Sequence, residues 1–250
     1  MKTKILNEKV ALVTGASSGI GESISRELTR RGWLVIGVAR SQDKLEHIQK
    51  QLGESFIPMV CDVSMKENIQ AVSKQILQNN LCPSLFFLNA GIAGEAAIEN
   101  PNCFDLTIHE KIMQVNYFGV LAWVEVWEKV CQDNIGANFI ATSSVNAIFA
   151  PPAGSAYSAS KAAIAKAFES LALTYFDKNL RFSVVYPGPV DTAGLKGKLP
   201  FTWSAEKMGK CMVDFALSSG SRCEPSWFYK IICRFLHVLP LKYTIKLLGS

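Results

Sequence analysis

The chain has 250 residues, which suits one large α/β domain, and 49% of them are hydrophobic, so a sizeable core can form. The formal net charge of +5 includes no dense run of Lys and Arg in the first 220 residues, so nucleic acid is not an expected partner. The seven cysteines form no C-x-x-C pair and only three histidines accompany them; we predict reduced thiols, no metal site and a cytoplasmic location.

The pattern along the chain alternates short apolar runs with longer helical segments. Strands are predicted at Val10–Thr14, Trp33–Ala39, Phe56–Cys61, Leu85–Leu88, Asn138–Thr142 and Arg181–Tyr186. Helices are predicted over 22–31, 43–52, from 64 to about 79, 104–132, 155–178 and 205–218. Ser41 and Ser204 stand where the N-caps of the second and last of these helices would be.

The apolar runs do not alternate with polar residues, which is typical of parallel strands that are covered on both faces. Six β-α units in series therefore predict an α/β fold, a single-domain Rossmann-like doubly wound parallel sheet with helices on both faces. This domain should extend over residues 1–221, with a substrate loop at 189–203. Residues 222–250 are predicted to form a short amphipathic helical tail.

A glycine-rich turn follows the first strand in the sequence TGASSGIG, where Gly15, Gly19 and Gly21 precede a helix. Glycines allow the backbone to approach a pyrophosphate, and the helix N-terminus offers free N–H groups to it. The spacing is G-x-x-x-G-x-G rather than G-x-G-x-x-G. The alternative is an ordinary strand-to-helix turn.

The end of the second strand should contact the adenosine ribose. An acidic residue there would favour NAD, but the sequence has Arg40 and Ser41, whose side chains suit a 2′-phosphate, so NADP is the favoured cofactor. Arg40 is otherwise a solvated residue at a helix start. Asp62 follows the third strand and could accept a bond from the adenine amino group, cap the next helix, or do both.

Four features occur in the order TGASSGIG, Asn89–Ala90–Gly91, Ser144 and Tyr157-x-x-x-Lys161. With them the chain closely resembles the short-chain dehydrogenase/reductase family over about residues 7–195. The resemblance implies catalytic roles for Ser144, Tyr157 and Lys161, with Asn116 as a fourth member. Combined with the glycine turn and the ribose end, it gives these predicted cofactor contacts: Gly15, Ser17, Ser18, Gly19, Ile20, Gly21, Arg40, Ser41, Asp62, Val63, Asn89, Ala90, Gly91, Tyr157, Lys161, Pro187, Gly188, Val190 and Thr192.

The chemistry follows from the spacing of Tyr157 and Lys161, which are four residues apart and share a helix face. A neighbouring ammonium should lower the pKa of the phenol from about 10. Tyr157 would then give a proton to a carbonyl oxygen as hydride arrives, or take one in reverse, while Ser144 hydrogen-bonds the same oxygen. Ser143 is a rival, but the family places its serine thirteen residues before the tyrosine. Asn116 is expected to hold its helix slightly open and to bind a water that returns the proton.

The loops beyond the strand ends should select the substrate. They are poor in charge, and the predicted pocket residues are Ser144, Phe149, Leu195, Phe201 and Trp203. An apolar ketone, aldehyde or secondary alcohol is therefore expected.

The tail from residue 226 to 250 combines apolar bulk with a narrow basic stripe at Lys230, Arg234 and His237, repeated after Pro240 by Lys242 and Lys246. Each helical piece is too short to span a bilayer. Such a pattern suits a peripheral membrane contact, and the alternatives are closure of the substrate pocket or packing in a subunit interface.

The sequence thus predicts an oxidoreductase that transfers a hydride between NADP(H) and an apolar alcohol or carbonyl compound. Two alternatives are a non-catalytic nucleotide-binding scaffold or sensor on the same fold, and a dehydratase or epimerase of the same family. The resemblance also implies a homodimer or homotetramer, formed through the helices over 104–132 and 155–178.

Overall fold

A computed structural model describes residues 9–93, 104–192, 195 and 199–248 of the chain. Its strands are β1 Val10–Thr14, β2 Leu34–Ala39, β3 Phe56–Val60, β4 Leu85–Leu88, β5 Ala137–Thr142, β6 Leu180–Val185, β7 Val190–Asp191, β8 Trp203–Ser204 and β9 Arg222–Cys223. Seven of them form one parallel sheet in the order β3-β2-β1-β4-β5-β6-β9, and β7 pairs with β8 separately. The strand order reverses direction at β1 and β4, which creates a crevice at their carboxyl ends.

The described residues also contain nine α-helices, of which the last two follow the final strand. They are α1 Gly19–Arg30, α2 Gln42–Leu52, α3 Lys66–Gln78, α4 Leu106–Met113, α5 Gly119–Asp133, α6 Ser155–Thr174, α7 Ala205–Ala216, α8 Trp227–Val238 and α9 Leu241–Leu248. A π-helical turn at Gln114–Phe118 joins α4 to α5, and a 3-10 turn covers Val145–Ala147. None of the helices that the structure describes is long and apolar enough to cross a membrane.

The sheet is buried on both faces, because successive side chains of each strand enter different cores. One core contains the inner faces of α3, α5 and α6, and the other those of α1, α2 and α7. In the first core the register aligns Phe86, Phe139 and Phe182 on adjacent strands, with ring centroids 4.6 and 5.2 Å apart. The predicted doubly wound α/β fold is confirmed.

The structure differs from the predicted elements in a few places. The pattern over 104–132 is two helices separated by the π-helical turn, and the helix predicted to reach 178 ends at Thr174. Strand β9 was not predicted, and it places the first two residues of the 222–250 segment in the sheet. Ser204 caps α7 by accepting from the Lys207 amide at 3.1 Å, whereas the Ser41 side chain makes no capping bond to α2.

Candidate active site

The glycine turn lies at the crevice between β1 and β4, where Thr14 ties the two strand ends together. The Thr14 hydroxyl accepts hydrogen bonds from the backbone amides of Asn89 and Ala90, each at 2.9 Å. A Cβ added to Gly21 would lie 2.2 Å from the Gly15 carbonyl oxygen, so no larger residue fits this turn. The predicted phosphate turn and the Asn89–Ala90–Gly91 segment therefore meet at one place.

The start of α1 faces the segment that follows β6. Gly19 has a φ of +57°, which favours glycine, and a Cβ there would be 3.0 Å from Cγ2 of Thr192. Half-buried Ser17 and Ile20 flank exposed Ser18 in the same turn. The first N–H groups of a helix have no partner in the helix itself, so this cradle fits a diphosphate that lies between the glycine turn and Thr192.

Arg40 and Asp62 mark the other end of the crevice. Arg40 and Ser41 are exposed after β2, and Asp62 and Val63 follow β3. Oδ1 of Asp62 accepts from the amide and hydroxyl of Ser64, at 2.9 and 2.7 Å. Burial raises the pKa of Asp62, but these hydrogen bonds and the nearby charge of Arg40 lower it overall. The carboxylate thus shapes its own turn, and the Arg40 side chain is free to meet an anionic ligand.

Lys161 is buried on α6, with 5% of its surface exposed. Its Nζ donates to the Thr142 carbonyl at the end of β5 at 2.8 Å and lies 5.7 Å from the centroid of the Tyr157 ring. Desolvation lowers the pKa of this ammonium from 10.5 to about 8. Its charge state is therefore sensitive to small changes of environment near neutral pH.

Tyr157 is half-buried and packs beside Ile112 and Ala156 in a small apolar cluster. The nearby Ser144 hydroxyl favours the ionised phenol and so tends to lower its pKa. Burial raises the pKa of the phenol and outweighs the lowering by Ser144, so the expected lowering by Lys161 is not seen. The reason is that the Lys161 ammonium is directed to a backbone carbonyl, while the surrounding protein disfavours the phenolate.

The structure separates the two candidate serines. The Ser143 hydroxyl donates to the Lys161 carbonyl at 2.8 Å and therefore packs β5 against α6. Ser144 contacts Tyr157 and also accepts from the Asn146 amide at 3.1 Å. This arrangement favours Ser144 over Ser143 as the site serine.

Asn116 lies in the π-helical turn, which is the helix opening expected at this residue, and it is buried. Its Oδ1 accepts from the Ile92 amide at 2.7 Å, and its Nδ2 donates to the Ile92 carbonyl and the Ser160 hydroxyl, both at 3.1 Å. A Cβ added to Gly91 would lie 3.1 Å from Asn116 Oδ1 and 3.3 Å from Lys161 Nζ. Gly91 therefore allows these two polar groups to approach each other.

The predicted pocket residues do not all lie on one surface. Phe149 and Leu195 are half-buried, and Phe201 packs against Phe228 of α8 with tilted rings whose centroids are 4.7 Å apart. Trp203 packs instead against the core beneath α1 and α7, with the Lys207 ammonium 4.1 Å from its ring centroid. We therefore assign Trp203 to packing of the substrate loop.

The tail reaches the nicotinamide end of the predicted site. Pro187 accepts from the Val145 amide at 3.0 Å, and Val190 is buried in β7. A Cβ on Gly188 would lie 2.7 Å from the Ser226 hydroxyl oxygen and 3.2 Å from Cδ2 of Tyr229. The beginning of α8 thus covers the segment after β6.

Comparison with known proteins agrees with this geometry. The family model for short chain dehydrogenases matches residues 9–200. The chain belongs to the short-chain dehydrogenase/reductase family.

Curated relatives match about three quarters of the chain, and a solved structure matches nearly all of it at lower identity. The chain is 32% identical over 198 residues to the dehydrogenase/reductase SDR family protein 7-like of Anopheles gambiae, a match that covers 75% of this chain and 61% of that relative. It is 30% identical over 194 residues to glucose 1-dehydrogenase 2 of Bacillus subtilis, covering 76% and 74%. A short chain dehydrogenase from Burkholderia cenocepacia in complex with NADP has the same fold, with a TM-score of 0.80 and 21% identity over 99% of this chain and 100% of that one.

Sequence reasoning missed several groups of this short-chain dehydrogenase/reductase site. Thr14 and the Thr142 carbonyl each end a strand at the crevice, and that position was the available signal. Ser160 and Ser226 had no signal, because their contacts join segments that are 44 and 38 residues apart in the chain.

Proposed function

We propose that this chain is an NADP(H)-dependent oxidoreductase that interconverts an apolar alcohol and its carbonyl compound. The observation that carries the proposal is the convergence of Ser144, Tyr157, Lys161 and Asn116 beside the glycine turn, at the switch point of the sheet. In open α/β sheets, this edge is where ligands bind.

The residues would divide the chemistry as follows. Bound NADP(H) would supply or accept the hydride. Tyr157 holds its proton at neutral pH, since burial raises the pKa of the phenol, and a protonated phenol suits donation to a carbonyl oxygen. Ser144 contacts the Tyr157 hydroxyl and would hydrogen-bond the same substrate oxygen as negative charge develops. Lys161, with its pKa lowered to about 8, is suited to exchange the proton that Tyr157 loses.

The cofactor preference rests on Arg40. Its planar guanidinium is exposed at the end of β2, where a 2′-phosphate would accept a bidentate pair of hydrogen bonds. The Burkholderia cenocepacia structural neighbour was solved with NADP, and a Brucella melitensis neighbour with the same TM-score was solved with NADH, so Arg40 alone carries the preference. The glycine turn and the start of α1 fit bound NADP(H), because the turn contains no side chains that would block the approach of its diphosphate.

The substrate preference rests on apolar side chains around the crevice. Phe149, Leu195 and Phe201 supply this character, and the half-buried rings of Phe228 and Tyr229 join them from α8. We expect the enzyme to work in the cytoplasm as a homodimer or homotetramer. Peripheral contact between residues 226–250 and a membrane would suit such an enzyme, because apolar substrates partition into lipid.

The test is turnover of a panel of lipophilic ketones, aldehydes and secondary alcohols with NADPH or NADP. Tyr157→Phe should abolish turnover, whereas NADPH should still bind through the glycine turn and Arg40. Tight NADPH binding without turnover of any compound would favour the scaffold alternative. Product formation without net oxidation of NADPH would favour a dehydratase or epimerase. Activity confined to charged, highly polar substrates would contradict the apolar pocket.

A further inference from the structure

Helix α8 is apolar on two opposite sides, and only one of them is used by the domain. Its inner side contains buried Cys233 and the half-buried residues Tyr229, Ile232 and Leu236. The outer side of α8 is exposed, and α9 exposes further apolar side chains on both sides of its two lysines. The large apolar side chains concerned are between 49% and 76% exposed. These residues, here named the outer face, are Trp227, Ile231, Phe235, Val238, Leu241, Tyr243, Ile245 and Leu247.

The inner side of α8 is fixed to the domain, so the outer face is not a core surface that has missed its partner. Ser226 and Tyr229 pack against Gly188. The Arg234 guanidinium pairs with both oxygens of Glu224, at 2.6 and 2.7 Å, and Glu224 also accepts from Arg222 at 2.8 Å. These contacts hold the helix in one orientation, with its remaining apolar side outward.

The charges beside the outer face indicate what covers it. Lys230, Lys242 and Lys246 are exposed there. Glu224 is the single acidic residue from 222 to 250, and its carboxylate is already occupied by two arginines. A surface of aromatic and aliphatic side chains bordered by uncompensated lysines is complementary to a bilayer of anionic phospholipid.

The outer face also adjoins the crevice. Helix α8 packs against the Val145–Ala147 turn that directly follows Ser144. The Tyr229 hydroxyl donates to the Pro200 carbonyl at 2.9 Å, and Phe201 lies against Trp227 with ring centroids 6.0 Å apart. The substrate loop is therefore tied to the same helix that carries the outer face.

We propose that α8 and α9 dock the protein on an anionic membrane surface and hold the substrate loop at the lipid boundary, so that an apolar substrate passes from the bilayer into the crevice. The delivery step rests on the proposed function, whereas docking does not.

Docking is tested by cosedimentation of the full chain with vesicles of phosphatidylcholine alone or with 30% phosphatidylserine added, a composition chosen for the assay. We expect binding to the anionic vesicles that weakens with salt. Ile231→Ser with Phe235→Ser should abolish it, because both side chains are more than half exposed and their loss leaves the core intact. The matched control is Leu173→Ser with Phe176→Ser, which removes side chains that are 81% and 82% exposed at the end of α6.

A charge test and a spectroscopic test accompany it. Replacing Lys242 and Lys246 by Gln should weaken binding to anionic vesicles about 30-fold, at about fivefold per lysine. The exposed Trp227 should shift its emission to the blue and be quenched by brominated lipid, and Trp227→Phe should remove both signals. The other four tryptophans are buried or half-buried. Absence of vesicle binding at low salt, or equal loss in the α6 control, would overturn the proposal.

The competing occupant of the outer face is a second copy of the chain. Self-association would replace membrane docking if the protein never sediments with vesicles and the Ile231 and Phe235 double variant converts a dimer to monomer.

Delivery is tested with one lipophilic ketone carried in vesicles and one water-soluble ketone. The double variant should lose at least tenfold in rate on the first and keep the rate on the second. Equal rates for both proteins on the vesicle-borne ketone would overturn delivery, whereas intact docking without turnover of either ketone would overturn only the proposed function.

Discussion

The stability of the protein should depend on pH through Lys161, because its ammonium is buried and binds a backbone carbonyl rather than a carboxylate. Its pKa falls from 10.5 to about 8, and desolvation is the cause. The folded state therefore releases the proton at lower pH than the unfolded state does. Between these two pKa values the unfolded chain binds more protons, so the free energy of unfolding rises with pH across this window.

The magnitude follows from the two pKa values. For one group titrating at about 8 when folded and at 10.5 when unfolded, the stability gained between pH 7 and pH 10 is about 2.5 kcal/mol. Lys161→Met removes this contribution. The free energy of unfolding of the natural protein should therefore rise by about 2.5 kcal/mol relative to the variant over this range.

Urea unfolding of the cofactor-free proteins at pH 7, 8, 9 and 10 measures this difference, and other titrating groups cancel because both proteins contain them. Lys166→Met is the matched control, since this lysine is on the same helix with 81% of its side chain exposed. This variant removes no buried ammonium, so it should not reproduce the change expected of Lys161→Met. A constant difference between the natural protein and Lys161→Met, or one that changes in the opposite direction, would show that the buried ammonium is not desolvated as the structure indicates.

Three further predictions concern the site serines, the cofactor and a thiol pair. Ser144→Ala should lower kcat at least about 100-fold in steady-state kinetics. Ser143→Ala should leave kcat within a few-fold, and urea unfolding should show a loss of about 1 kcal/mol of stability for its buried hydrogen bond. Arg40→Ala should raise KM for NADPH about 10- to 100-fold through loss of a charge-assisted contact and leave KM for NADH nearly unchanged; equal effects on both would contradict the 2′-phosphate role. A hydrogen bond from Cys223 lowers the pKa of Cys211 to about 7. Iodoacetamide should therefore label Cys211 increasingly as the pH rises through neutrality, as peptide mass mapping can follow. Cys223→Ala should move this labelling profile to higher pH.

Much of the sheet could be predicted because its strands are buried on both faces and leave continuous apolar runs. Val10–Thr14 and Leu85–Leu88 have the predicted bounds. Strand β9 could not be predicted, since two residues carry no periodicity and Arg222–Cys223 becomes a strand only by pairing with β6. A slightly open helix could be predicted at Asn116. The extent of the π-helical turn could not, because it depends on tertiary contacts with Ile92.

In the site as well, the spacing of residues predicts where they lie, whereas their chemical environment depends on tertiary contacts. The four-residue spacing of Tyr157 and Lys161 predicts that both lie on one helix face, and the structure has them there. It does not predict the sign of the change in the Tyr157 pKa, because that sign depends on burial and on which acceptor Lys161 finds. Once the ammonium is bound to the Thr142 carbonyl, its influence on the phenol is weaker than the cost of desolvating a phenolate.

The tail required the structure for a different reason. Its sequence is compatible with pocket closure, a subunit interface or a membrane contact, and a helix normally has one apolar face to offer to any of them. Helix α8 has two, and the Arg234–Glu224 pair decides which one turns inward. The inner side meets Gly188 beside the crevice, so pocket closure does not consume the apolar surface that could bind lipid. Arg234 is consequently removed from the basic stripe, and the lysines are left as the charges available to an anionic surface.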